Sequence, residues 1–497
     1  FIPRPHARPW ALGVSAMAAD DNPRELILEL EPAAKSLSSL MRLDLRNSSL
    51  VTLPSALPVC AALKHLDIGG NPITSLRGIE SLTKLAILFA SDCALGPTIL
   101  PGGELSRVSS LRMISVKNNG LTSLDGNAFP ANLHWLIATS NQISKVTNVP
   151  RLKHVRKLML SHNHLTADAL EPIFAHGEDL EMIRIACNPF DRLPKSLAQH
   201  PKLAWVAMGG SPYAKRHLVA AAERVASATG QGETAPVLSS SHDPDLSIDK
   251  AELGRGSGAT VVRGTWKGTP VAVKLWTSEC FSDGDAQGEW EMGRIASACL
   301  HVVRTLAVFK EPQLGMCMEL LEGATAASGP PSFDTVTRDA LDLASKALSP
   351  NAALTVALTV ARACAWLHSM GIIHGDVYLH NTLYTRSGSH ESVDNVRLSD
   401  LGAAGAYDMQ ADGAALQKVE LRSFSFLVED LIYLASNGHT RAPGEVLSAL
   451  QQVAARCKNP AASGAGEALS FAEIVAELEE FHNSVGACAA SHKRQKS

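Results

Sequence analysis

Three side chains in the second half of the chain have the types and spacing that phosphoryl transfer requires. In His374-Gly375-Asp376-Val377-Tyr378-Leu379-His380-Asn381 an Asp is followed five positions later by an Asn, and Ser399-Asp400-Leu401-Gly402 supplies a second Asp. One carboxylate, Asp376, suits the orientation of an acceptor hydroxyl. Asn381 and Asp400 are hard oxygen ligands of the kind Mg²⁺ takes. His374 reads as a packed structural histidine, because Asp376 already supplies the orienting group. Upstream, Ala251-Glu252-Leu253-Gly254-Arg255-Gly256-Ser257-Gly258-Ala259 is an apolar strand entering a glycine-rich turn, where the backbone can close over phosphates without side-chain obstruction. Val271-Ala272-Val273-Lys274 follows as an alternating strand that ends on a cation for α- and β-phosphates.

These groups need elements to hold them. The segment Asp285–Ile295 is expected to be a helix whose acid pairs with Lys274. Glu291 is selected, since Ile295 and Ala298 then share its face, and Glu289 is the alternative. Met316-Cys317-Met318-Glu319-Leu320-Leu321-Glu322-Gly323 is an apolar strand running into an acidic-glycine corner. An amphipathic helix over 353–369 is expected to deliver Gly371-Ile372-Ile373 as a buried strand, and with it the Asp376 loop.

The order Gly254, Lys274, Glu291, Glu319, Asp376, Asn381, Asp400 resembles that of a eukaryotic-type protein kinase domain over 248–484. The resemblance implies an α+β two-lobed fold that uses ATP and Mg²⁺. It assigns Asp376, Lys274 and Asn381 to catalysis, and Asn381 and Asp400 to the metal. Leu253, Gly254, Gly256, Gly258, Val261, Ala272, Lys274 and Glu291 would contact the nucleotide. Met318 would guard a back pocket, and the backbone at Glu319 and Leu321 would bond the adenine. It also implies a protein acceptor, with Ser or Thr as the receiving hydroxyl.

The departures from the family pattern are specific. Gly375 stands where many protein kinases carry the Arg that reads a phosphate on the activation loop, so control through that phosphate is not expected. Tyr378 replaces a Lys, and Glu420 stands for the usual Asp in the helix that anchors the catalytic loop. The Ala-Pro-Glu that closes the activation segment is missing, as is its Arg partner near Ala468–Val475; losing both strands no charge. His-Gly-Asp with Asn five on is also how small-molecule kinases of the aminoglycoside and choline type write this loop. A small-molecule kinase and a nucleotide-binding scaffold without turnover are therefore the alternatives.

The first half is a repeat. Eight segments fit Leu-x-x-Leu-x-Leu-x-x-Asn-x-Leu or a near variant, starting at Leu40, Leu63, Leu85, Leu111, Leu133, Val155, Leu180 and Leu203, with 22 to 26 residues between starts. The Asn position holds Ser48, Asn71, Cys93, Asn119, Asn141, Asn163, Asn188 and Ser211. Alternating apolar residues make a short strand, a buried Asn satisfies backbone groups at the turn, and stacked units share one core. The pattern resembles an α/β leucine-rich repeat solenoid over 25–225, with a polar, flexible linker at 226–247. Its concave face carries mixed charge (Arg42, Asp44, His65, Asp67, Arg112, Ser115, His134, Arg184) and apolar residues (Met41, Trp135, Met159, Met182, Trp205). A protein ligand is expected there.

Bulk properties set the remaining expectations. A net charge of −4 gives no basic field for nucleic acid or an anionic membrane. Nine scattered cysteines without a Cys-x-x-Cys pair fit reduced thiols in a cytoplasmic compartment. The most apolar run, 352–367, is interrupted by Arg362, so no membrane span is expected. Residues 1–24 read as an extension in which Arg4 and Arg8 leave organelle import open and Met17 is a candidate start. Residues 485–497 form a basic tail, read as a solvated end with nuclear entry as the lesser alternative.

Overall fold

Each repeat places a three-residue strand beside that of its neighbour. In the computed structural model, which describes residues 37–230, 234–256, 258–387, 392–436, 444–460 and 469–495, the strands Arg42–Asp44, His65–Asp67, Ile87–Phe89, Met113–Ser115, Trp135–Ile137, Lys157–Met159 and Met182–Arg184 pair in parallel. Position matches position along the stack, as in His65 to Ile87 and Ile87 to Met113. The central residues Leu66, Leu88, Ile114, Leu136, Leu158 and Ile183 are buried in one continuous core.

The repeat asparagines satisfy the backbone where each strand turns. Asn141 Nδ2 donates to Val116 O and Ala138 O, both at 3.0 Å, while its Oδ1 accepts from the N–H groups of Asn119 at 2.9 Å and Leu121 at 3.0 Å. Asn71, Asn119, Asn163 and Asn188 bond in the same manner, each reaching the backbone of the preceding repeat. Buried amides without these partners would each cost free energy, so the ladder fixes the stacking interval. Cys93 fills the position more weakly, with Sγ 3.4 Å from Ile68 O.

The chain divides into two compact units between Lys202 and Leu203. The eighth repeat, from Leu203, supplies the strand Trp205–Ala207 of the parallel sheet, and the boundary between the units nonetheless falls before it. The physical reason is burial: Ala221 and Val225, on the helix Pro212–Thr229, belong to the same apolar cluster as Met292, Val356 and Leu427.

After the helix Pro212–Thr229 the second unit continues with an antiparallel sheet in the order Leu246–Arg255, Ala259–Trp266, Thr269–Trp276, Gly315–Glu319, Thr305–Phe309, with the helix Ala286–Ile295 packed against it. Strand alternation sends Val271 and Val273 into one core with Cys317 and Phe309, and turns Ala272, Lys274 and Trp276 to the other face. The expected linker is not a free tether in its described part. Val308 N–H donates to Pro236 O at 2.9 Å, Leu238 N–H donates to Val308 O at 2.7 Å, and Leu238 packs on the sheet core. A Pro-Val-Leu triplet is apolar enough to dock where a polar linker would not.

Below this sheet the helices Pro350–Ser369, Gly413–Ser436, Glu445–Lys458 and Phe471–Gln495 surround a large apolar core. Pro350–Ser369 is long and apolar enough to cross a membrane by composition, but its apolar residues are enclosed in that core. The final helix extends to Gln495, so the basic tail begins on helix. The extension 1–24 lies outside the described residues. Among the described cysteines, Cys60, Cys93, Cys299, Cys317, Cys364 and Cys457 are free thiols.

Candidate nucleotide and catalytic site

The strand Thr269–Trp276 and the helix Ala286–Ile295 bring Lys274 and Glu289 together as a buried ion pair, each side chain only 4% exposed. Trp276 Nε1 donates to the second carboxylate oxygen of Glu289 at 3.2 Å. Glu289, not Glu291, is therefore the partner of Lys274. Asp285 caps the helix through Gly288 N–H, which sets the phase so that Glu289, Trp290, Met292 and Gly293 point inward. Glu291 is half-buried and accepts from Gln287 at 2.7 Å. Choosing among acids two positions apart needed the helix start, because a shift of two residues turns a side chain about 200° around the axis. Burial pushes the Glu289 carboxyl upward, against the pull of the Lys274 ammonium.

A cavity of about 260 Å³ opens between the sheet and the helical region. Leu253, Val261, Ala272, Met318, Leu321, Leu383 and Leu398 supply apolar walls, and Glu319, Glu289 and Asp400 lie at its rim and back. A smaller cavity of about 90 Å³ is lined by Gly256, Gly258, Lys274, Glu289, Asp400 and Gly402. The expected adenine-contact residues thus border one pocket, and the glycine loop, the lysine and Asp400 border the next. Gly254 is on the strand leading into the turn. The Glu319 N–H is used within the fold, donating to Arg304 O at 2.9 Å.

Asp400 has φ of 65°, in the left-handed region, and accepts from Gly402 N–H at 3.2 Å. A Cβ on Gly402 would stand 3.2 Å from Asp400 Oδ1 and 3.5 Å from Glu289 Oε2, so glycine lets the two carboxylates share this corner.

The loop carrying Asp376 is held through its backbone. Glu420, 1% exposed, accepts from His374 N–H at 3.2 Å and Gly375 N–H at 2.7 Å. His368 Nε2 lies 2.8 Å from the same carboxylate, and its Nδ1 lies 2.7 Å from the Tyr407 hydroxyl. Burial raises the Glu420 carboxyl, but His368, His374 and the Gly375 N–H outweigh it and hold the group below its ordinary value. Asn381 Nδ2 donates to Asp376 O and Asp376 Oδ2, both at 2.9 Å, which joins the two functional side chains. His374 is fully buried and lies 3.2 Å through Nε2 from Ser399 O, a packed structural histidine. His380 pairs with Asp339 at 2.6 Å, and the Tyr378 hydroxyl donates to Thr337 O at 2.9 Å. Asp339 is one residue that the motif reading did not find, because its partner lies far along the chain.

Trp205 was expected on an open concave face. It is 1% exposed, with its indole stacked on Tyr378 at 4.6 Å and on Phe426 at 5.3 Å.

Residues 248–439 match the protein kinase domain family. The serine/threonine-protein kinase PkaB of Streptomyces coelicolor is 33% identical over 167 residues, covering 31% of this chain and 36% of that protein. The N-terminal region is similar to human lumican, 28% identical over 147 residues, covering 29% of this chain and 43% of lumican. Among solved structures, internalin C2 of Listeria monocytogenes matches with a TM-score of 0.31 and 20% identity, over 36% of this chain and 75% of that one. The chain spans less than half the length of the curated relatives named here.

Proposed function

We propose that this chain, which carries a protein kinase domain at 248–439 beside leucine-rich repeats, transfers the γ-phosphoryl group of ATP to Ser or Thr hydroxyls of a protein recruited by the repeats. The observation that carries the reading is the closure of the ionic set. Lys274, Glu289 and Asp400 border one cavity below the glycine turn, and Asn381 ties Asp376 into the same loop.

The donor set suits Mg²⁺. Among the described residues no cluster of three or more His, Cys, Asp and Glu side chains forms a metal cage. One carboxylate, Asp400, and one amide oxygen, that of Asn381, with phosphate and water completing the shell, is the mode a hard cation with few protein ligands takes. When bound, Mg²⁺ neutralises charge on the phosphates.

The chain's own residues do the rest. Ala272, Leu253 and Leu398 enclose the base, and Lys274, held by Glu289, meets the α- and β-phosphates. Asp376 orients the acceptor hydroxyl and receives its proton as the hydroxyl oxygen bonds the γ-phosphorus. The bond from that phosphorus to the β–γ bridging oxygen breaks, and ADP leaves with the electron pair.

The test incubates the full chain with γ-labelled ATP, Mg²⁺ and casein, beside Asp376→Asn and Lys274→Met. Label in protein with the parent and at least 100-fold less with either variant is expected. Equal labelling in all three refutes catalysis, and label confined to a small-molecule fraction refutes the protein acceptor.

A further inference from the structure

The loop that carries Asp376 is gripped from two sides. Glu420 takes the N–H groups of His374 and Gly375. On the other side stands Leu203–Thr229, which precedes the matched kinase region. Trp205 Nε1 donates to Val377 O at 3.1 Å, and its ring lies parallel to Tyr378, 2° between planes at 4.6 Å. The residues immediately before and after Asp376 are thus each bonded to a buried group.

The contact continues along the short segment after Asp400. The Tyr213 hydroxyl accepts from Asp408 N–H at 3.0 Å and donates to Asp412 Oδ2 at 2.5 Å. Arg422 donates to Leu203 O at 3.0 Å, and Arg224 to Met370 O at 3.0 Å. Close approach is written into three glycines. A Cβ on Gly375, at φ of 73°, would collide with the Val206 carbonyl and come within 2.9 Å of Ala403 O. A Cβ on Gly209 would stand 3.0 Å from Ala404 O, and one on Gly405 3.1 Å from Met208 Cγ. Gly375 is therefore not an arbitrary loss of a phosphate-reading Arg. The space a side chain would need is filled by the backbone of 205–207.

We propose that residues 203–229 are a built-in positioning element for the catalytic loop. They hold Asp376 in register through Trp205 and brace the 401–412 segment through Tyr213, so that loop geometry is set by this chain's own packing and not by a phosphate on the activation segment. Trp205 is a positioning residue: it touches Val377 and Tyr378, not the reacting atoms. The kinetic part of this inference rests on the phosphotransfer reading; the structural part does not.

The experiment compares full-chain parent, Trp205→Ala, Trp205→Phe and Tyr213→Phe by two readouts. Hydrogen exchange is followed at 374–381 and, as a reference, at 261–276. Phosphotransfer to casein gives kcat and the KM for ATP. In Trp205→Ala, exchange at 374–381 should rise while 261–276 is unchanged. Its kcat should fall about 10- to 100-fold, the cost of a loop displaced by an ångström or less, with KM for ATP within about twofold of the parent. Trp205→Phe keeps the ring stack and loses only the Val377 bond, so it should recover most of the loss; Tyr213→Phe should raise exchange at 401–412. Unchanged exchange at 374–381 in both Trp205 variants overturns the proposal, as does a kcat loss that merely tracks the folded fraction. If Trp205→Ala does not fold, Trp205→Leu, which fills part of the space while losing both the ring stack and the Val377 bond, is read in its place, and unchanged exchange at 374–381 overturns the proposal. If the parent transfers no phosphate, the phosphotransfer reading fails and exchange still judges the positioning element.

Discussion

Replacing Glu289 by Gln is the sharpest perturbation of the site. The two side chains of the Lys274 pair are each 4% exposed, so the substitution leaves an ammonium in a nearly water-free position. Two unit charges about 3 Å apart attract by about 5 to 6 kcal/mol at an effective dielectric near 20. Removing one partner of a buried pair costs about 3 to 5 kcal/mol, because the survivor keeps its desolvation penalty. Asp400 borders the same cavity and can take part of the load, which places the expectation near 3 kcal/mol. For the unit Leu203–Ser497, with an unfolding entropy of about 2.1 cal/mol/K per residue, that is a fall of about 5 °C in Tm. The KM for ATP should rise as well, since Lys274 is then free to turn toward Asp400. Glu291→Gln is the matched control. It loses only a half-buried contact with Gln287 and should stay within about 0.5 kcal/mol of the parent. Thermal melts and ATP kinetics on the full chain read both variants. Equal effects from the two, or a larger one from Glu291→Gln, would refute the assignment of the pair.

Other outcomes follow from the same geometry. Glu420→Gln removes a carboxylate held below its ordinary 4.5, so the parent's advantage should be complete above that pH and shrink as acid protonates the folded group; urea midpoints at pH 7, 5 and 4 measure it, and a gap that widens on acidification contradicts the reasoning. Asn141→Ala strands the Val116 carbonyl and two N–H groups, Ala138 O keeping its bond from Asn163, and should cost the repeats about 3 kcal/mol at about 1 to 3 per buried group with partial relief by water. Cys93→Ala, at a position with only long sulfur contacts, should cost less than about 1 kcal/mol in the same denaturant titration. Leu238→Ala should lower the stability of the second unit by about 1 to 2 kcal/mol, the effect of truncating a half-buried leucine, where a free tether would show none.

Much of the site was legible in one dimension because its parts act locally. Asp376 and Asn381 meet within one loop, the glycine turn is a property of adjacent residues, and Ala272 and Lys274 share a strand face by simple alternation. The repeat was legible for a similar reason: each asparagine satisfies backbone one unit away, so the period shows in the string. Glu289 was not separable from Glu291 by spacing, since the helix phase is set by its cap and the packing of Trp290 and Met292. Asp339 carries no local motif at all, and its tie to His380 exists only once the loops fold together.

The sequence by itself determined the two architectures and most of the ionic residues of the candidate site, because periodicity and motif spacing are local consequences of backbone geometry. Only the tertiary structure decided where the units part. Trp205 satisfies the repeat pattern as well as any earlier residue, yet it is buried on Tyr378 and Phe426. A strand's period states which side chains share a face; it does not state what covers that face. That is settled by which surfaces exclude water together, across residues separated by more than a hundred positions.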